Sequence, residues 1–220
     1  MNKLMKQMMI LFMLLCLCAG NVFAQPPTIS PALDRVDTLL GNIETLAADV
    51  VQLIVESDGG VLEQSEIQML LKKPDGFYWE TLTPFPELIV TNGSTLWNYQ
   101  PDLEQVVIEV WDSSRSELAA QLLSGNIESL GGDYMIDSVT SVESEHQEFE
   151  LTPRSADSIY QLISINFMHD ELESIYLNSK NGQQTVWRFE NVIRNSAIDD
   201  AKFQFVPPEN IEIIENGYTQ

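Results

Sequence analysis

The chain is poor in the residues that most enzymes and metal sites use. Its 220 residues include two cysteines, Cys16 and Cys18, and two histidines, His146 and His169. Both histidines lie in polar runs that are typical of solvated loops. The sequence contains no Gly-x-Ser-x-Gly elbow, phosphate-binding loop, dinucleotide fingerprint or His-Glu-x-x-His motif. We therefore expect no catalytic residues, no metal site and no cofactor.

Basic residues are also scarce, with 11 Lys and Arg against 33 Asp and Glu. Lys3 and Lys6 lie in the first 24 residues, which contain no acid, so residues 25–220 carry nine basic and 33 acidic groups. Nucleic acids and anionic bilayers need a basic surface for binding, so neither is an expected ligand. With 44% hydrophobic residues, the composition is that of a globular protein.

The only long hydrophobic run is at the N-terminus. Met8 to Ala19 is too short to span a bilayer comfortably and follows a basic start, which is typical of a secretory signal peptide. Val22-Phe23-Ala24 places modest or small residues at the cleavage positions, so residues 1–24 are predicted to be removed after Ala24. Leu15 and Leu17 precede the two cysteines, where a lipidation signal needs a small residue. We expect residues 25–220 to form one cysteine-free, exported domain in the periplasm.

The pattern after residue 30 predicts an α+β domain. Ser30 is suited to an N-cap and Pro31 to the first helical position, and an apolar stripe from Leu33 to Leu46 predicts a helix over roughly 31–48. A second, short helix is predicted at 116–124. Alternating runs bounded by turn signals predict strands near 50–55, 61–71, 77–80, 88–91, 95–99, 106–110, 134–140, 147–152, 160–167, 172–178, 184–193 and 203–206.

Large aromatic side chains are concentrated on these strands, and they allow two interpretations. In an ordinary globular domain they fill the core. In a curved sheet covered by helices they line a cavity for an apolar ligand instead. Periodicity alone does not separate the two.

An ordered set of short motifs resembles the LolA family of periplasmic carriers of outer-membrane lipoproteins. The set covers essentially all of residues 30–215, and it is the order, more than any one motif, that is specific. Its members are Lys73-Pro74, Phe77-Tyr78-Trp79, Asn92-Gly93-Ser94-Thr95-Leu96-Trp97-Asn98-Tyr99, Pro101-Asp102-Leu103-Glu104-Gln105, the helix with Leu118, Leu122 and Leu123, Glu150-Leu151-Thr152-Pro153, and Ala201-Lys202-Phe203-Gln204-Phe205-Val206-Pro207-Pro208.

The resemblance implies a half-open antiparallel β-barrel of about eleven strands, with the long and short helices as a lid over a hydrophobic cavity. It implies a soluble monomer that performs no reaction. Such a carrier receives acylated lipoproteins from the inner-membrane ABC transporter LolCDE and hands them to the outer-membrane receptor LolB. Membrane contact would be transient and through these partners. Each methylene buried away from water contributes about 0.8 kcal/mol of favourable free energy. A lipoprotein with several acyl chains therefore needs an apolar binding site to cross the aqueous periplasm.

The resemblance also suggests site residues. The family has a characteristic Arg before the Pro of the second turn, which holds the lid closed; this chain has Lys73, which keeps the charge without the planar guanidinium fork. We expect it to clamp less firmly. The candidate cavity residues are Met69, Leu71, Phe77, Trp79, Trp97 and Tyr99. The candidate lid residues are Leu33, Val36, Leu40, Leu118, Leu122 and Leu123.

Two other functions stay open from the sequence. The same half-open barrel occurs in LolB-like lipid-anchored receptors and in periplasmic stress sensors. A lipid- or glycan-acting hydrolase is the remaining alternative, and it would need titratable side chains inside the cavity.

Overall fold

The computed structural model describes residues 30–111, 118–123, 127–141 and 143–216. The predicted signal peptide with Cys16, Cys18 and the cleavage site after Ala24 lies outside these residues. So do residues 116, 117 and 124 of the predicted short helix.

The described residues form three helices and one 12-stranded sheet. The helices are α1 (Pro31–Gly41), α2 (Leu118–Leu123) and α3 (Ile127–Asp133), with 3-10 turns at Pro101–Leu103 and Asp200–Phe203. The strands are β1 (Thr45–Val55), β2 (Val61–Lys72), β3 (Gly76–Thr83), β4 (Glu87–Asn92), β5 (Thr95–Gln100), β6 (Gln105–Val110), β7 (Tyr134–Ser138), β8 (His146–Pro153), β9 (Tyr160–Met168), β10 (Glu171–Ser179), β11 (Gln184–Arg194) and β12 (Glu212–Asn216).

The sheet is open, because β7 and β12 lie at its two edges and do not pair with each other. The strand order is β12-β6-β5-β4-β3-β2-β1-β11-β10-β9-β8-β7. Neighbouring strands are antiparallel except β12, which runs parallel to β6. This architecture confirms the predicted half-open barrel with a helical lid. The sheet is mixed rather than purely antiparallel, because its edge strand β12 is parallel to β6.

Side chains alternate between two faces of this sheet, and its inner face forms the hydrophobic core. Fully buried members are Leu46, Met69, Phe149, Leu151, Ile163, Ile165, Phe167 and Ile175. The helices cover this face, with Val36, Leu39 and Leu40 of α1 and Leu122 and Leu123 of α2 buried against it. The core is therefore a contact between one sheet face and its covering helices.

The predicted first helix is too long. It ends at Gly41, and the chain from Thr45 is strand, although the apolar stripe continues through Ile43 and Leu46. Leu46 is buried because it begins an inward alternation with Ala48 and Val50. Apolar residues at these positions are compatible both with the three- and four-residue spacing of a helix and with the two-residue spacing of a strand. For this reason the sequence pattern predicted a helix that is too long.

The predicted strand at 203–206 is also wrong. Residues 200–203 form a 3-10 turn whose Phe203 is 3% exposed, and the last strand is Glu212–Asn216. The Phe203 ring lies 3.3 Å from the position that a Cβ on Gly76 would take, on the face opposite Phe77 and Trp79. Alternating aromatic and polar residues here cover the outer face without pairing in the sheet.

Replacing Phe149 by Ala should lower the free energy of unfolding by about 3–5 kcal/mol, because it leaves a cavity in a fully buried part of the core. Urea denaturation followed by circular dichroism measures this. Ile159→Ala is the matched control: Ile159 is 68% exposed, so a change within about 0.5 kcal/mol is expected. Equal effects of the two substitutions would contradict the assignment of the core.

Candidate functional site

The predicted apolar residues of β2 and β3 lie together on the inner face. Pairing aligns Met69 with Trp79 and Leu71 with Phe77, and all four side chains are buried. The Phe77 and Trp79 rings stack with centroids 6.1 Å apart. Trp187 of β11, which was not among the predicted site residues, meets Trp79 edge-on at 5.4 Å.

Trp97 and Tyr99 do not belong to this group, which corrects the prediction. β4 pairs with β5 so that Leu96 and Asn98 share the inner face with Ile89, while Trp97 and Tyr99 point to the outer face. There the Tyr99 ring contacts Phe205 at 5.2 Å. Residues 96–99 alternate between the two faces as predicted. The aromatic pair Trp97 and Tyr99 lies on the outer face, where the 200–206 segment covers it.

The predicted lid residues contact the inner face from the helices. Val36, Leu40, Leu122 and Leu123 are fully buried, and Leu33 and Leu118 are partly buried against the same cluster. In this arrangement the helices lie directly on the apolar face, and little open space remains between them and the sheet.

A cavity of about 220 Å³ remains between α2 and the sheet. Its lining comprises Gln52, Phe77, Trp79, Thr81, Glu87, Ile89, Leu118, Ala119, Tyr160 and Trp187. A cavity of about 150 Å³ holds one benzene molecule, so this space holds only a small part of one long acyl chain. A larger ligand requires the helices to move away from the sheet.

Lys73 contacts the C-terminal end of α1. Its ammonium donates to the carbonyl oxygens of Leu40 at 2.8 Å and Gly41 at 3.4 Å. Both carbonyls lie at the helix end, where carbonyl groups carry partial negative charge, and Leu40 O also accepts from the backbone N–H of Ile43 at 3.1 Å. Burial lowers the pKa of Lys73 below its ordinary value, partly offset by the carboxylates of Glu44 and Asp37.

A second polar contact, which was not predicted from the sequence, holds the middle of α1. Arg35 Nε donates to Gln147 Oε1 at 2.7 Å, and the same guanidinium pairs with the Asp170 carboxylate. Gln147, which is 2% exposed, also donates to Asp170 at 2.8 Å. Arg194 donates to the Asp170 carbonyl oxygen at 2.8 Å. The sequence contained one indication of this contact: Gln147 is a polar residue on the same face of β8 as the apolar Phe149 and Leu151.

Among the described residues that line the cavity, the titratable side chains are Glu87 and Tyr160. Both histidines are surface residues, with side chains 43% and 66% exposed for His146 and His169. Within the described residues no cluster of three metal-ligating side chains occurs. The described helices include none long and apolar enough to cross a bilayer.

Comparison with known proteins defines the class. An open sheet with covering helices is shared with an uncharacterized conserved protein from Thermus thermophilus, at a TM-score of 0.53 and 16% identity over 84% of this chain and 96% of that one. This likeness concerns the fold alone. Residues 41–206 match the family model described as outer membrane lipoprotein carrier protein LolA.

Curated relatives carry the same description. An outer-membrane lipoprotein carrier protein from Chromohalobacter salexigens is 31% identical over 91% of this chain and 96% of its own length. Those from Hahella chejuensis and Azotobacter vinelandii are 32% and 33% identical, each over 84% of this chain and 88% of their own. The chain belongs to the LolA family of outer-membrane lipoprotein carriers.

Replacing Lys73 by Met should favour separation of α1 from the sheet, because it removes two hydrogen bonds at the helix end. Because Lys73 is only partly buried, we expect a loss on the order of 1 kcal/mol. Hydrogen exchange of the α1 amides should become about fivefold faster, and binding of an environment-sensitive hydrophobic dye should increase. Lys202→Met, which removes an exposed positive charge, is the control and should leave both unchanged. Unaltered exchange in Lys73→Met would show that this contact does not hold α1.

Proposed function

We propose that this protein is a periplasmic carrier that shelters the acyl chains of outer-membrane lipoproteins against the inner face of its sheet. In this proposal residues 1–24 are a signal peptide cleaved after Ala24, and the carrier domain, residues 25–220, works as a monomer. It receives lipoproteins from the ABC transporter LolCDE and delivers them to the receptor LolB. Family membership and the names of the relatives support the carrier role.

The observation that carries the proposal is the covered apolar face. The side chains that α1 and α2 bury are aliphatic, and acyl chains can replace them without loss of a specific hydrogen bond. Opening then exchanges contacts within the protein for contacts with the ligand, so the free-energy difference between the states stays small. A carrier that must release its cargo needs this balance.

Lys73 and the Arg35 contact are the polar elements of this proposed lid. Lys73 joins α1 to the turn after β2, and Arg35 joins it to Gln147 of β8 and to Asp170 in the turn after β9. We propose that Lys73 takes the place of the family Arg as the clamp at the helix end, with Met69, Leu71, Phe77 and Trp79 as acyl contacts. Leu33, Val36, Leu40, Leu118, Leu122 and Leu123 are the side chains that acyl chains displace.

We propose no reaction for this protein. A hydrolase would need a titratable pair with shifted pKa values in its cavity, and Glu87 is the one carboxylate among the described lining residues. The receptor-like alternative would need a lipid anchor, and the leucines before Cys16 and Cys18 disfavour one.

Purified protein should extract a triacylated lipoprotein from vesicles that contain the transporter and keep it in the supernatant as a one-to-one complex. Ultracentrifugation followed by size-exclusion chromatography measures the complex. The same lipoprotein with its acylated Cys replaced by Ser is the control and should not bind, because it offers no hydrocarbon. Lipoprotein remaining with the vesicles, under conditions where a known carrier extracts it, would overturn the proposal.

A further inference from the structure

The inner face changes from apolar to polar along each of three strands, in the same direction. On β3 the inward side chains run from Phe77 and Trp79 to Thr81, and on β4 from Ile89 to Glu87. Thr81 pairs directly with Glu87. On β1 the inward series runs from Val50 to Gln52, which is opposite Trp187. Gln52, Thr81 and Glu87 all line the 220 Å³ cavity together with Phe77 and Trp79.

The hydrogen bonds of Gln52 fix the direction of its amide. Trp187 Nε1 donates to Gln52 Oε1 at 2.7 Å, and an indole N–H is a donor only. The amide oxygen is therefore occupied, and the NH₂ group is left to donate. Within the part of the chain that the structure describes, that NH₂ group has no hydrogen-bond partner.

Glu87 is also oriented by its neighbours. Gln100 Nε2 donates to Glu87 Oε1 at 3.0 Å, and Gln105 Nε2 donates to Gln100 Oε1 at 2.6 Å. This series leaves the second carboxylate oxygen of Glu87 able to accept a hydrogen bond from a ligand. Lys and Arg are absent from the described lining of the cavity.

We propose that Gln52, Thr81 and Glu87 form a head-group subsite that selects a neutral acylated amino terminus over an anionic phospholipid. This inference rests on the proposed function and adds the part of the ligand that is not hydrocarbon. The ester and amide carbonyls of an N-acylated, diacylglyceryl-modified cysteine accept hydrogen bonds from the Gln52 amide and the Thr81 hydroxyl. The amide N–H groups of that head donate to Glu87.

Selectivity follows from the charge of the subsite. An anionic phospholipid such as phosphatidylglycerol has similar acyl chains, so the apolar face alone cannot reject it. Its phosphate would be placed beside the Glu87 carboxylate without a cation and partly out of water, which is unfavourable for both anions. The subsite thus rejects anionic phospholipids by repulsion, while the neutral head satisfies each polar group.

Glu87→Gln tests this directly, because it removes the charge while keeping an oxygen that can accept from Gln100. Affinities are measured by quenching of tryptophan fluorescence for two ligands: a synthetic triacylated cysteine peptide without charged side chains, and phosphatidylglycerol of the same chain length. We expect phosphatidylglycerol to bind Glu87→Gln about tenfold more tightly than the wild type, and the lipopeptide to bind it roughly two- to tenfold more weakly, because a neutral amide oxygen accepts the head-group N–H less strongly than a carboxylate. Glu66→Gln is the matched control, with the same change in net charge on the outer face, and it should leave both affinities unchanged.

The outcomes separate this inference from the proposed function. A wild-type protein that binds neither ligand would overturn the carrier role itself. A wild type that binds the lipopeptide, with a ratio of affinities unaltered by Glu87→Gln or altered equally by Glu66→Gln, would overturn the head-group subsite and leave the carrier role standing.

Thr81→Val supplies a second readout that does not involve charge. It should weaken binding of the ester-linked lipopeptide roughly two- to tenfold, because a hydrogen bond to the ester is lost. A lipopeptide with ether-linked chains lacks that carbonyl and should bind both proteins equally. Equal losses for the two lipopeptides would show that Thr81 does not contact the ester.

Discussion

The structure depends on an apolar sheet face that the sheet itself cannot bury. Because β7 and β12 do not pair, the inner face is not enclosed by strands, and helices α1 and α2 pack against it. Val36, Leu40, Leu122 and Leu123 provide that cover and are buried against it. In the proposed function these aliphatic contacts stabilise the folded protein and compete with acyl chains for the same surface, so the core and the proposed binding surface share their residues.

Polar groups distinguish the two ends of this apolar surface. One end of α1 is tied by Lys73, and its middle by Arg35 through Gln147 and Asp170. At the opposite end of the inner face, Gln52 and Glu87 meet the cavity with fixed hydrogen-bonding directions. In the proposed binding mode, the acyl chains of an amphiphile would lie near the helix and its polar head would lie near Gln52 and Glu87.

Much of this architecture could be predicted from the sequence, and the failures have physical causes. Hairpin turns such as Asn92-Gly93 and the alternation along β2 located most strands, since turn chemistry and burial are local. Leu46 fitted a helix and a strand equally, so the end of α1 was misplaced. Trp97 and Tyr99 were assigned to the wrong face because the outer cover at Phe203 and Phe205 is a long-range contact. Gln52, Thr81 and Glu87 were missed because their common end of the face depends on register between separate strands.

The central claim is that ligand replaces the helix contacts, so α1 must move away from the sheet on loading. Residues 25–220 contain no cysteine, so labels can be placed without removing native thiols. Spin labels at Asp34→Cys on α1 and Glu66→Cys on the outer face of β2 report this distance by pulsed electron paramagnetic resonance. The account predicts a longer distance when the protein is saturated with triacylated lipopeptide. An unchanged distance in a fully loaded one-to-one complex would contradict it.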